Sequence, residues 1–282
     1  MAHITNTQVT STASQTVTSK DGTPIHYQTV GKGSALIIVP GALSLAADYL
    51  RLAMVLADSF TVHIIERRGR GLSGAMGADY SIAKECEDVV AVQAKTGAHF
   101  LFGHSYGGLI ALETARNNQT LTKIAVYEPG VSINQSIPIN WASAYQAHLA
   151  AGKPLHAFVD FIKGVGPASM KMIPAWWLRF IMPMIIKGAE WDKTVALLPA
   201  NLREHQEVAR LDNSYLNYRE VCANALLMVG GKSPISASQT LRKLSEVLPK
   251  SNIKMFPRLD HFGANQGNPI AIAEALKAHF CS

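Results

Sequence analysis

His99-Phe100-Leu101-Phe102-Gly103-His104-Ser105-Tyr106-Gly107-Gly108 is an apolar run entering a G-x-S-x-G turn, and a helix-forming stretch, Leu109 to Arg116, leaves it. A strand that turns this sharply into a helix leaves no room for side chains beside the central residue. Gly103 and Gly107 supply the room, because a residue without Cβ tolerates close approach and unusual backbone angles. Ser105 is thereby placed at the tip of a strand and at the N-terminus of a helix, where the helix dipole favours negative charge. This is the strand–turn–helix context of a nucleophile elbow. The plain alternative is a glycine-rich turn that holds a serine by chance.

Outward from this turn, strand and helix patterns alternate. Ile25–Val30 is an alternating strand after a turn at Asp21-Gly22, and Ala35–Val39 is a short continuous apolar run, as a strand buried on both faces requires. Thr61–Ile65, residues 99–103 and 123–127, Ala225–Val229 and Ile253–Phe256 read as further strands. Helical spacing occupies Asp48 to Ala57, Ser81 to Lys95, and residues 106–117, 237–248 and 268–280. Such alternation predicts right-handed βαβ units and a mostly parallel sheet. Between about 137 and 221 the strand signal vanishes. That stretch is helical and holds all four tryptophans, Trp141, Trp176, Trp177 and Trp191, with Met170, Met172, Met182 and Met184. It reads as a helical cap inserted after the sixth strand. Most of these side chains are expected to pack the cap onto the core, and some to roof a pocket over the elbow.

At 282 residues and 48% hydrophobic, the chain is long enough for one large α/β domain with an insertion. Residues 1–16 are rich in Thr, Ser and Gln without an apolar core, so they read as a polar lead-in rather than a signal peptide. Cys86, Cys222 and Cys281 are three and widely spaced, which suits reduced thiols in a cytoplasm and gives no metal-ligand spacing. Buried structural roles are expected for Cys86 and Cys222. The net charge of +6 is scattered apart from Arg67, Arg68 and Arg70, and no aromatic-interleaved basic stripe predicts a nucleic-acid partner. The most apolar window, Met172 to Ile186, is interrupted by Pro174, Arg179 and Pro183, so no membrane span is expected. A small-molecule substrate and a monomer or homodimer are the expected partners.

The chain resembles the α/β-hydrolase superfamily from Val17 to its C-terminus. The matching pieces are Asp21-Gly22-Thr23-Pro24-Ile25-His26-Tyr27, the strand ending Pro40-Gly41-Ala42, and Glu66-Arg67-Arg68-Gly69-Arg70-Gly71-Leu72-Ser73-Gly74. The elbow, Tyr127-Glu128-Pro129, Gly230-Gly231-Lys232-Ser233-Pro234 and Asp260-His261-Phe262 complete the set. The Arg-Arg-Gly-Arg-Gly and Tyr-Glu-Pro runs look like one group of small bacterial serine hydrolases. The resemblance implies an eight-stranded, mostly parallel sheet with helices on both faces. The core would be residues 17–136 and 222–282, and the cap 137–221. It implies no cofactor and no metal.

It also implies site residues. Ser105 is the expected nucleophile, and a serine hydroxyl needs a base to take its proton. His261, just after the last strand, stands where the superfamily places that base. The usual acid position after the seventh strand holds Ser233, which carries no charge. Glu128, at the end of the sixth strand, is the expected substitute; adjacent strand tips lie about 5 Å apart. The alternative is that Glu128 only shapes a turn before Pro129. Asp260 lies too close in sequence to His261 to orient its ring easily, and Asp212 is a remote candidate. Two backbone N–H groups, of Ala42 and Tyr106, are the expected oxyanion donors, with the Tyr106 side chain facing either the pocket or the cap. The arginines are expected to brace the sheet edge by pairing with carboxylates such as Glu66. Two readings follow: a cofactor-free serine hydrolase of a small, largely apolar ester, thioester or amide, or a hydrolase-fold binding protein or receptor with vestigial catalysis, kept open by the serine at 233.

Overall fold

The computed structural model describes residues 12–282. Eight strands form one sheet: β1 (Ala13–Thr18), β2 (Pro24–Gly31), β3 (Ser34–Val39), β4 (Phe60–Glu66), β5 (Phe100–His104), β6 (Lys123–Tyr127), β7 (Asn224–Gly230) and β8 (Ser251–Phe256). Their order across the sheet is β1-β2-β4-β3-β5-β6-β7-β8. β2 runs antiparallel to both of its neighbours, and every other pairing is parallel. The order doubles back between β4 and β5, which puts the C-terminal ends of β3, β5, β6 and β7 side by side. Ligands of open α/β sheets gather at such a reversal.

Alternation along the strands builds two cores. In β3, Ile37 and Val39 join the cluster under α2 (Ile82–Thr96), α3 (Tyr106–Arg116) and α9 (Ile235–Val247). Leu36 and Ile38 face the other way, toward α1 (Leu50–Leu56) and α10 (Pro269–Phe280). Successive strand side chains point to opposite faces, so a strand covered on both sides must be apolar throughout. Five α-helices lie between β6 and β7, followed by a 3₁₀ helix over Ser214–Glu220: α4 (Ala142–Ala150), α5 (Pro154–Val165), α6 (Ala168–Met172), α7 (Ala175–Ile185) and α8 (Ala189–Arg210). They share a third cluster around Trp141, Tyr145, Phe158, Leu178 and Met182.

Three expectations change. The lead-in through residue 16 is too long: residues 13–18 pair with Pro24–Thr29 as the edge strand. Most of their side chains are exposed, so backbone pairing rather than burial forms this strand, and no apolar alternation marks it. The remainder of the lead-in, residues 1–11, lies outside the described residues. Cys222 is exposed, held at the surface where its Sγ lies 3.7 Å from the Glu220 carbonyl. Of the tryptophans, only Trp141 is buried, while Trp176 and Trp177 face solvent.

Candidate active site

The turn between β5 and α3 is as tight as its glycines demand. A Cβ on Gly107 would stand 2.1 Å from the Val39 carbonyl oxygen, and one on Gly103 would stand 2.2 Å from that of Gly107. Ser105 between them is forced to φ 54°, ψ −122°. A non-glycine residue at positive φ is strained by about 1–3 kcal/mol and persists where the surroundings over-determine it. Here the Ser105 N–H donates to the Tyr127 carbonyl at 3.0 Å, and the Gly130 N–H donates to the Ser105 carbonyl at 2.8 Å.

The loop after β8 brings His261 over the serine. Its Nε2 stands 3.1 Å from Ser105 Oγ, and its Nδ1 stands 2.8 Å from Glu128 Oε2. Glu128, directly after β6 and buried, also sits at positive φ, 43°. Its other oxygen, Oε1, accepts from the Gly230 N–H at 2.8 Å and from the Ser233 hydroxyl at 2.5 Å. Ser233 thus holds the carboxylate rather than replacing it. Burial alone would raise the Glu128 pKa, but these donors and His261 outweigh it and leave the group below its ordinary value. The rival carboxylates are engaged elsewhere. Asp260 accepts from the Phe262 N–H at 3.0 Å, and Asp212 accepts from the Ser132 hydroxyl at 2.6 Å.

Gly41 closes the site from the β3 side. A Cβ there would lie 3.2 Å from Ser105 Cβ, so the Gly41–Ala42 peptide packs directly on the serine. Its carbonyl accepts from Arg70 at 2.9 Å and from Arg67 at 3.1 Å. In a trans peptide the N–H points opposite to the C=O, so the Ala42 N–H is turned away from the arginines. Arg67 also lies 4.8 Å above the Tyr106 ring, and the Tyr106 hydroxyl meets that of Tyr80 at 2.8 Å. The Tyr106 side chain therefore packs inward. Neither the Ala42 nor the Tyr106 N–H finds a protein acceptor among the described residues.

The arginines are wholly enclosed, and their partners differ from the expectation. Glu66 accepts from the Ala46 N–H at 3.2 Å instead of pairing with an arginine. Arg67 binds Glu85 through two bonds of 2.8 and 2.5 Å, and both Arg67 and Arg70 bind Glu204 of α8. Arg68 pairs with Asp88 and Asp21. Burial opposes every charge in this cluster. The arginines prevail at Glu85, whose pKa falls below the usual carboxylate value, while at Glu204 burial, joined by the charge of Glu85, prevails and the pKa lies above it.

A second chain of bonds, which the sequence did not reveal, crosses the floor of the site. The Gly41 N–H donates to the Tyr49 hydroxyl at 3.0 Å, which reaches His104 Nδ1 at 2.6 Å. His104 Nε2 lies 2.8 Å from the carbonyl oxygen of His261. A carbonyl only accepts, so Nε2 carries the proton and Nδ1 takes that of Tyr49. Burial, helped by the charge of His261, pulls the His104 pKa down to about 3, and the ring stays neutral. On the insertion side, His205 contacts the rings of Trp141 and Phe161 at centroid distances of 5.3 and 5.1 Å, and its pKa falls to about 4 through burial.

A family model described as "Alpha/beta hydrolase family" matches residues 36–275. The chain belongs to the alpha/beta hydrolase family. A solved alpha/beta hydrolase from Sphaerobacter thermophilus is 30% identical, with a TM-score of 0.80 over 94% of this chain and 100% of its own. An N-formylmaleamate deformylase from Pseudomonas putida is 28% identical over 86% of this chain and 88% of its own length. A 2-(acetamidomethylene)succinate hydrolase from Mesorhizobium japonicum is 22% identical over 87% of each. Among the described residues of this alpha/beta hydrolase, no group of three or more His, Cys, Asp or Glu is arranged to hold a metal ion. No described helix is long and apolar enough to cross a membrane.

Proposed function

We propose that this alpha/beta hydrolase cleaves a small, uncharged ester or amide through an acyl-enzyme on Ser105. The observation that carries the reading is the unbroken line from Ser105 Oγ to His261 to Glu128, at 3.1 and 2.8 Å. His261 Nε2 takes the serine proton as Oγ bonds to the substrate carbonyl carbon. The Glu128 carboxylate holds Nδ1–H in place and balances the imidazolium. The carbonyl oxygen, now negative, accepts from the Ala42 and Tyr106 N–H groups. Such a donor typically contributes about 3 kcal/mol to lowering the barrier. Collapse breaks the bond to the leaving group, which departs with the His261 proton. Water then repeats the sequence and frees the acid.

Arg67 and Arg70 act as positioning residues, since both fix the carbonyl of the peptide that carries the Ala42 donor. Their charges are committed to Glu85 and Glu204, so they offer nothing to an anionic substrate. The helical insertion, residues 137–221, caps the site and brings the buried, neutral His205 ring toward His261. This favours an uncharged acyl group. Relatives that act on N-formylmaleamate and 2-(acetamidomethylene)succinate support carbonyl hydrolysis and keep amides beside esters as candidates. The reading as a binding protein loses its main support, because Glu128 supplies the charge absent at Ser233.

The test is labelling by a fluorophosphonate together with turnover of short p-nitrophenyl esters. Ser105→Ala should abolish labelling and lower kcat by about a thousandfold or more with the fold intact. Near wild-type turnover in that variant would refute the assignment.

A further inference from the structure

The side of α7 that faces solvent is apolar throughout. Trp176, Phe180 and Met184 recur every fourth residue, and so form one row along the helix. They are 66%, 62% and 57% exposed, with Trp177 and Ile185 exposed beside them. The opposite side sends Leu178 and Met182 into the insertion's core. A helix that is hydrophobic all round is ordinarily buried all round. Here one side has no cover, and its aromatic rings lean on each other, Trp176 edge-on to Trp177 and Trp177 stacked on Phe180, each pair 5.5 Å apart.

The charges on the segment that carries this face have one sign. Residues 161–189 contain Lys163, Lys171, Arg179 and Lys187 and no Asp or Glu. The exposed Lys171 and Lys187 stand beyond the two ends of α7. The Lys163 ammonium is bound to the Lys171 and Ile173 carbonyls and ties α5 to the turn before the helix. Beyond the far end, an open cleft of about 400 Å³ is lined by Leu155, Pro183, Ile186 and Trp191, with Lys153 and Lys187 at its edge.

We infer that this face docks on an anionic lipid surface, with the Trp176, Phe180 and Met184 row entering the headgroup boundary and the lysines meeting lipid phosphates. An apolar face rich in tryptophan and flanked by Lys and Arg is the chemistry of interfacial binding, and each basic residue near an anionic leaflet adds attraction. A second copy of the chain fits less well. A two-fold contact sets the same patch against itself, which would bring these basic residues toward their own counterparts with no acid on the segment to offset them. The inference is independent of the chemistry at Ser105.

The test is co-sedimentation of the full chain with phosphatidylcholine vesicles, with and without phosphatidylglycerol. Binding should be at least about tenfold tighter to the anionic vesicles, weaken with added salt, and shift tryptophan emission to the blue. The triple variant Trp176→Ser, Phe180→Ser, Met184→Ser should lose binding while retaining turnover of a soluble ester, which shows that it is folded. Lys171→Glu with Lys187→Glu should remove the preference for anionic vesicles. No binding by the wild type, equal binding to both vesicles, or retained binding by the triple variant would overturn the inference. So would sedimentation velocity showing a dimer that the triple variant dissolves, which would assign the face to a second copy.

Discussion

Replacing Glu128 by Gln changes one atom of the carboxylate and should reverse the hydrogen bonding of His261. The site fixes which way the amide turns. Glu128 Oε1 receives the Gly230 N–H, a donor that cannot rotate away, and the Ser233 hydroxyl as well. The amide oxygen must occupy that position, so the amide NH₂ takes the place of Oε2, 2.8 Å from His261 Nδ1. An NH₂ group only donates. Nδ1 is then obliged to accept, and the ring proton moves to Nε2, facing Ser105 Oγ. In that tautomer His261 cannot take the serine proton, and the charge that would balance an imidazolium is gone. The equivalent acid-to-amide change in serine proteases lowers kcat about 10⁴-fold, roughly 5 kcal/mol of barrier. The assay is kcat/KM on a p-nitrophenyl ester, with circular dichroism to show that the fold survives. Ser233→Ala is the matched control: it removes one of the two donors to Oε1, leaves the charge, and should cost about tenfold or less. A well-folded Glu128→Gln variant within tenfold of wild type would refute the reasoning, as would a Ser233→Ala variant with the larger loss.

Three further outcomes are expected. Glu204→Ala leaves Arg70 buried without its carboxylate and should cost about 3–5 kcal/mol, a fall in Tm on the order of 10 °C; a fall of only a degree or two by differential scanning fluorimetry would argue against a buried ion cluster. The Glu128 pKa is depressed, so its charge contributes stability that is complete above the ordinary carboxylate value of 4.5 and is lost as pH falls from there through the lower folded value. The stability gap between wild type and Glu128→Gln, measured in urea, should therefore shrink on acidification, and a widening gap would contradict the assignment. Burial pushes the Cys86 thiol up to about 12, whereas Cys222 and Cys281 are exposed. Ellman's reagent should report two fast thiols and a third, the half-buried Cys86, at least about tenfold slower, because the reactive thiolate is scarce there; three equally fast thiols would contradict this.

The elbow was legible because its geometry admits so few residues, and the strands around it because burial on both faces demands unbroken apolar runs. Glu128 was legible by subtraction, since Ser233 left no charge where one was needed. What escaped had no local signature. Ala13–Thr18 is a strand by pairing alone and carries no apolar alternation. Tyr49 has no motif, and its bond to His104 joins residues 55 apart. Glu66 adjoins the arginines in sequence yet turns to the Ala46 N–H, while their partner Glu204 lies 134 residues from Arg70. The outward turn of Trp176 and Trp177 was missed because apolar periodicity marks a helix without saying which side faces the protein.

The Arg70–Glu204 bond makes the insertion and the chemistry less separable than the chain order implies. The helices between β6 and β7 look like a module that could be exchanged for another to change which molecules enter. Yet Glu204, from that module, neutralises the arginines that orient the peptide carrying the Ala42 N–H. A transplanted insertion without an acid at this place would leave Arg70 a buried, unpaired cation on the backbone beside Ser105, with Arg67 held by Glu85 alone. Specificity in this scaffold is therefore exchangeable only in part: one carboxylate of α8 must travel with every replacement.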